Sequence, residues 1–302
     1  MPDLWVPDRR FKAIVIASPK TGKTGAIAAL VNAGYRVILA AFDPGYDILL
    51  NLIDPAQAHN LIILPFEDRR GFQGKDSKMT VAHLGDPVAF AKFVAFLNDG
   101  KARQAECQGG EIVDLGPSET WGYDTFLVVD NLSGVSKAAF ARLLNQIGRT
   151  RMTKARRDWG LAQDEVDDVL IQLASSFYRY HLVLLAHWLV QGPREFEDED
   201  RNHPDKTDYN NELREREKDL IPTKQVPKSI GRALSRDLIQ HFPTCVWAEI
   251  DDSGNRIFNL HPTAVRDSGV PVRPGVLPKT LPIETGLLSI FRAVTGAPQE
   301  VK

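Results

Sequence analysis

A short apolar run, Ala13-Ile14-Val15-Ile16, leads into Ala17-Ser18-Pro19-Lys20-Thr21-Gly22-Lys23-Thr24-Gly25, and an alanine-rich stretch follows. A strand that feeds a glycine-containing loop and leaves it as a helix aims backbone N–H groups and a helix N-terminus at one point, which makes an anion site. The pattern is that of a phosphate-binding loop, with Ala17 where the first glycine usually stands. In this reading Gly22 lets the backbone approach a phosphate closely. Lys23 bridges the β- and γ-phosphates, and the Thr24 hydroxyl ligates Mg²⁺. ATP and Mg²⁺ are therefore the expected ligands, held by Ala17 through Gly25.

The rest of the chain agrees with an α/β fold. Apolar runs at Phe11–Ala17, Tyr35–Phe42, Leu61–Pro65, Phe126–Asp130 and His181–His187 predict buried strands. Between them, apolar residues recur at helical spacing over Lys23–Ala33, Pro87–Asn98, Ser136–Ile147 and Leu161–Tyr180. This alternation predicts a doubly wound, mostly parallel sheet. Thr244–Ile250 and Arg256–His261 flank Asp251-Asp252-Ser253-Gly254-Asn255, which predicts an antiparallel hairpin extending the sheet. Five prolines then interrupt the chain before an amphipathic helix at Ile283–Val294. The expected organisation is a nucleotide-binding domain over residues 1–265 and a Pro-rich tail, read as an appendage, over 266–302. Two stretches lack periodicity and read as mobile surface loops. They are Asp99–Trp121 and Pro193–Leu220, the latter with eleven acidic against six basic residues.

Composition narrows the function class. With 37 Lys and Arg against 39 Asp and Glu, the net charge of −2 excludes a histone-like polycation, so any nucleic-acid contact must be local. Two cysteines, Cys107 and Cys245, make neither a disulfide framework nor a zinc site, which suits a reducing cytoplasm. The start of the chain shows no secretory signal, and no apolar run reaches the roughly 18 residues of a membrane span.

Three further residues are candidates for chemistry at strand ends. Asp130 closes Thr125-Phe126-Leu127-Val128-Val129 and is the expected second Mg²⁺-side acid, on a strand neighbouring the loop. Asp43 follows the Tyr35–Phe42 run, where it either orients the attacking water or caps a turn before Pro44. His187 ends Leu182-Val183-Leu184-Leu185-Ala186 and either senses the γ-phosphate or is a structural histidine. The segment Lys137–Arg157 carries seven cations and no acid, and Arg149, Arg151, Lys154, Arg156 and Arg157 crowd into nine residues. That density suits contact with a phosphate backbone, the alternative being a solvated face. Trp159 beside it either stacks a base or packs in the core.

Taken in order, the phosphate loop, Tyr123-Asp124-Thr125-Phe126-Leu127-Val128-Val129-Asp130-Asn131-Leu132-Ser133, Asp158-Trp159-Gly160 and Leu184-Leu185-Ala186-His187 resemble phage-encoded RecA-like ATP-binding proteins. That group includes single-strand-annealing-type recombinases, and the resemblance covers about residues 10–265. It implies a RecA-like P-loop core with Asp43 activating water, Asp130 serving Mg²⁺ and His187 sensing γ-phosphate. It also implies that Arg149–Arg157 and Gln191–Leu220 face single-stranded DNA in the host cytoplasm. The acidic excess of the second loop opposes a phosphate backbone, so DNA contact falls to the first. Such cores assemble into homo-oligomers head to tail, which would bring Lys224 or Lys228 to a neighbour's ATP. The family's usual Glu after the second strand is an Asp here. Three activities fit: a DNA-coupled ATPase acting in recombination or replication, an assembly or accessory protein that binds ATP without hydrolysing it, and a small-molecule phosphotransferase.

Overall fold

The computed structural model describes residues 10–68, 70–73, 80–83, 86–98, 104–149, 154, 156–191, 224–229 and 238–297. Its centre is a mixed nine-stranded sheet, mostly parallel. The parallel strands are β1 (Lys12–Ala17), β2 (Arg36–Ala41), β3 (Leu61–Pro65), β8 (Thr125–Asp130), β9 (His181–Gln191) and β11 (Thr244–Ile250). Short antiparallel pairs lie off it: β4 (Arg70–Gln73) with β5 (Thr80–His83), and β6 (Gln104–Glu106) with β7 (Ile112–Asp114). The main sheet runs β11-β1-β9-β8-β2-β3. Antiparallel β12 (Arg256–Asn259) and β13 (Thr280–Pro282) continue it beyond β11, and β10 (Lys224–Pro227) pairs with the end of β9.

Alternation within each central strand explains why both faces are covered. In β1, Ile14 and Ile16 join one buried cluster while Ala13, Val15 and Ala17 join the other. Strands β2, β8 and β9 divide in the same way, with Ile38, Leu127 and Leu184 on the first face and Leu39, Val128 and Leu185 on the second. A strand apolar at every position must bury both sides, so helices are needed above and below it. On the second face lies α1 (Ala28–Asn32), which contributes Leu30 and Val31, while α2 (Asp47–Leu50) is a short turn after β2. The first face is covered by α3 (Ala89–Asn98), α4 (Leu132–Gln146) and α5 (Arg156–Ala174), through Phe93, Ala139 and Leu170 among others.

The C-terminal tail is part of this core, which corrects its reading as an appendage. Helix α6 (Ile283–Thr295) buries Ile283, Leu287, Ile290 and Phe291 on the α1 side of the sheet. The Phe291 ring makes edge contacts with Phe11, Tyr35, Phe126 and His181, at centroid distances of 4.8 to 5.6 Å. The prolines before it did not prevent β13, because an edge strand spares Pro from the ladder it cannot donate to. The Asp99–Trp121 stretch also differs from the expected loop where it is described. It holds β6 and β7, and Leu115 and Trp121 are buried, with the Trp121 indole donating to the Leu115 carbonyl at 2.7 Å. The acidic stretch Pro193–Leu220 lies outside the described residues.

The hairpin β11–β12 forms as expected. The Asp251 carboxylate accepts from the backbone N–H groups of Ser253 and Asn255, and Gly254 takes φ +84°. No helix among the described residues is long and apolar enough to cross a membrane.

Candidate functional site

The residues singled out from the loop and strand ends converge at the carboxyl edge of β1, β9, β8 and β2. The loop after β1 curls through two left-handed residues, Lys20 at φ +66° and Gly22 at φ +95°. The Thr21 hydroxyl donates to the Ser18 carbonyl at 2.9 Å, and the Trp188 indole of β9 donates to Ser18 Oγ at 2.7 Å, so the loop is pinned to a neighbouring strand. Pro19 and Lys20 are exposed, Thr21 and Lys23 are buried, and Ala17 is the last residue of β1. The expected helix over Lys23–Ala33 opens as a 3₁₀ turn at Gly25–Ile27 before α1, a tighter start common at helix N-termini.

The Thr24 hydroxyl donates to Asp130 Oδ2 at 2.8 Å. These two residues lie 106 positions apart, and the contact brings both metal-side candidates together. Strand β9 lies between β1 and β8, so the Asp130 strand is one place removed from the loop strand and not its direct neighbour. Burial raises the Asp130 carboxyl above its usual range, partly opposed by the Thr24 hydrogen bond and the Lys23 charge. The Lys23 ammonium lies 3.2 Å from His187 Nδ1. An ammonium can only donate, so the imidazole accepts through Nδ1. Burial lowers the pKa of Lys23, and Asp130 and Asp43 oppose the shift through space. Burial, and next the Lys23 charge, likewise lower His187, which keeps the ring neutral at neutral pH.

Asn131 links the third acid to this group. Its side chain caps α4 by accepting from Gly134 N at 2.9 Å, and its amide donates to the Asp43 carboxylate. Gly134 permits the approach of α4 to β2, since a Cβ there would lie 2.5 Å from Phe42 Cβ. Asp43 also lines a cavity of about 400 Å³ beside Phe66, Glu67 and Lys137. Asn131 and Trp188 thus belong to the site, though the sequence alone gave them no role. For Asn131 a signal existed, since Asn three residues before Gly134 is a helix cap.

The basic segment is only partly free. One Arg149 guanidinium nitrogen lies 2.7 Å from both carboxylate oxygens of Asp158, whose side chain has no exposure, so this arginine is engaged within the chain. Lys154 sits over the Trp159 ring at 4.6 Å, and that indole stacks on Phe140 at 4.2 Å, which makes Trp159 a packing residue. Arg157 is 77% exposed, with its Nε 3.9 Å from the same Asp158 carboxylate. Arg151 and the side chain of Arg156 lie outside the described residues, as does the side chain of Lys224.

The donor set fits a triphosphate with Mg²⁺. Among the described residues the one hydrogen-bond partner of the buried Lys23 ammonium is a neutral ring, so its charge lacks a directly bonded anion. Thr24 and Asp130 offer adjacent hard oxygens of the kind Mg²⁺ prefers. No group of three or more acidic, His or Cys side chains among the described residues forms a separate metal centre. No protein-family model matches the chain, and no curated protein is significantly similar to it in sequence.

Proposed function

We propose that the chain is a RecA-like ATPase of phage type that binds ATP with Mg²⁺ and couples its nucleotide state to single-stranded DNA in recombination or replication. The observation that carries the reading is the buried Lys23 ammonium, bonded to a neutral imidazole beside the Thr24–Asp130 pair. A buried cation without a bonded anion is costly, and an incoming phosphate supplies the missing partner. Lys23 and the loop N–H groups hold the triphosphate, and Thr24 and Asp130 hold the metal. Held there, Mg²⁺ would supply positive charge to the phosphate oxygens. Asp43 orients the attacking water, its carboxylate set by the Asn131 amide. His187 follows terminal-phosphate occupancy through its bond to Lys23. Lys154, just before α5, and Arg157, in its first turn, are the exposed described cations assigned to DNA contact.

A second reading, in which ATP is a structural ligand turned over negligibly, draws support from the same Asn131 contact. An amide already bonded to Asp43 competes with water for that carboxylate. ATP hydrolysis measured with and without single-stranded DNA, in the parent and in Asp43→Asn, separates the two. The ATPase reading expects DNA-stimulated turnover that falls about a hundredfold in the variant while ATP affinity holds. ATP binding without turnover in the parent supports the second reading instead, and no ATP binding overturns both.

A further inference from the structure

The second strand of the β9–β10 pair ends beside the phosphate loop of its own chain. In register, Pro227 opposes Trp188 and Val226 opposes Leu189, and the Lys228 N–H donates to the His187 carbonyl at 2.7 Å. Lys228 therefore stands directly opposite His187. Opposed residues of an antiparallel pair project their side chains from the same face, with Cβ atoms about 5 Å apart. The His187 ring on that face reaches Lys23. Lys228 is fixed from the other side as well, because the Ser133 hydroxyl in the first turn of α4 donates to its carbonyl at 3.0 Å. Ser133 follows Asp130 and Asn131 by a few residues, so one backbone position is tied both to the His187 strand and to the turn carrying Asp130. The side chain itself is exposed at this edge. Its charge is already felt inside, as one of the cations that disfavour protonation of His187.

We propose that Lys228 is a second phosphate-binding cation of the same subunit's site, contacting the terminal phosphate of a nucleoside triphosphate alongside Lys23 and His187. The inference rests on the nucleotide reading above. It differs from the head-to-tail expectation, in which a lysine of this region serves a neighbouring subunit, in assigning Lys228 to the site whose own His187 and Ser133 hold its backbone. A cation placed at the γ-phosphate end distinguishes triphosphate from diphosphate, since the diphosphate lacks the group it binds. Lys228 is thus assigned to discrimination and Lys23 to binding of both nucleotides.

The experiment is a titration of full-length protein with fluorescent ATP and ADP analogues in Mg²⁺. It compares the parent, Lys228→Ala, Lys228→Arg and Lys23→Ala at several protein concentrations, with circular dichroism confirming the fold. Lys228→Ala should weaken ATP binding about tenfold, leave ADP binding within about twofold, and do so equally at every protein concentration. Lys228→Arg should restore most of the preference. An unchanged ATP-to-ADP preference in Lys228→Ala overturns the assignment, provided that the parent binds and Lys23→Ala binds more weakly. A loss that appears only at concentrations where subunits associate also overturns it, in favour of a neighbour's site. Absence of binding by the parent, or undiminished binding by Lys23→Ala, refutes the nucleotide reading itself.

Discussion

Replacing Phe291 with alanine tests whether the last helix belongs to the core. The ring is 2% exposed and touches four other rings, from β1, β2, β8 and β9 or the turns before them. Phe→Ala at a fully buried site costs about 3–5 kcal/mol through lost transfer energy and the cavity left behind. Edge contacts between rings add about 0.5–1.5 kcal/mol apiece when measured singly, but these overlap with the first figure and do not sum with it. We therefore expect a loss of about 4 kcal/mol. For a chain of this length each kcal/mol moves the melting temperature by about 2 °C, so the shift should be about 8 °C. Thermal unfolding followed by circular dichroism measures it, with Phe177→Ala as the control at a ring 68% exposed. A shift below about 2 °C in Phe291→Ala, comparable to the control, would refute the placement of α6 in the core.

Three further outcomes follow from the site and its surroundings. Arg149→Gln should destabilise the fold by about 3 kcal/mol, since it removes the arginine bonded to buried Asp158, whereas Lys154→Gln with Arg157→Gln should leave stability nearly unchanged. The double variant should instead flatten the salt dependence of single-stranded DNA binding by about 1.4 in slope, and fluorescence anisotropy showing an unchanged slope would remove these cations from the interface. Because burial and Lys23 depress His187 in the folded state, the unfolded chain binds its proton first as pH falls through 6.5. Stability from this residue is full above that pH and declines below it, so urea midpoints at pH 7.5 and 5.5 should differ less in His187→Gln than in the parent. An equal difference would show that His187 titrates normally.

The central strands were legible because each carries an unbroken apolar run, and residues such as Val15 and Leu184 leave no solvated face. Their order was not legible, since nothing in the sequence tells that β9 separates β1 from β8. The elements that were missed are short or edge-bound. β6 and β7 span three residues each, too few for any period, and β10 and β13 end in Pro227 and Pro282, which argue against strands except at an edge. Helix α4 begins at Leu132, four residues before the expected Ser136, because Ser133 and Gly134 look like loop residues until the close packing against Phe42 is seen.

For the site, Lys23, Thr24 and Asp130 were readable from type and position, and the structure brings them together. The partnerships were not readable, since each joins distant segments: Lys23 with His187, Asp43 with Asn131, Ser18 with Trp188. The acid-free run of cations overstated the free positive charge. Its counter-charge, Asp158, sits one residue past the end of that run and turns back on Arg149 through the start of α5.

The most direct test of the account is calorimetric titration of the full-length protein with ATP in Mg²⁺, in the parent and in Lys23→Ala. The account predicts saturable binding by the parent and affinity at least about tenfold weaker in a variant that remains folded, because the buried ammonium that receives the phosphates is gone. Equal affinity in the two folded proteins would contradict it.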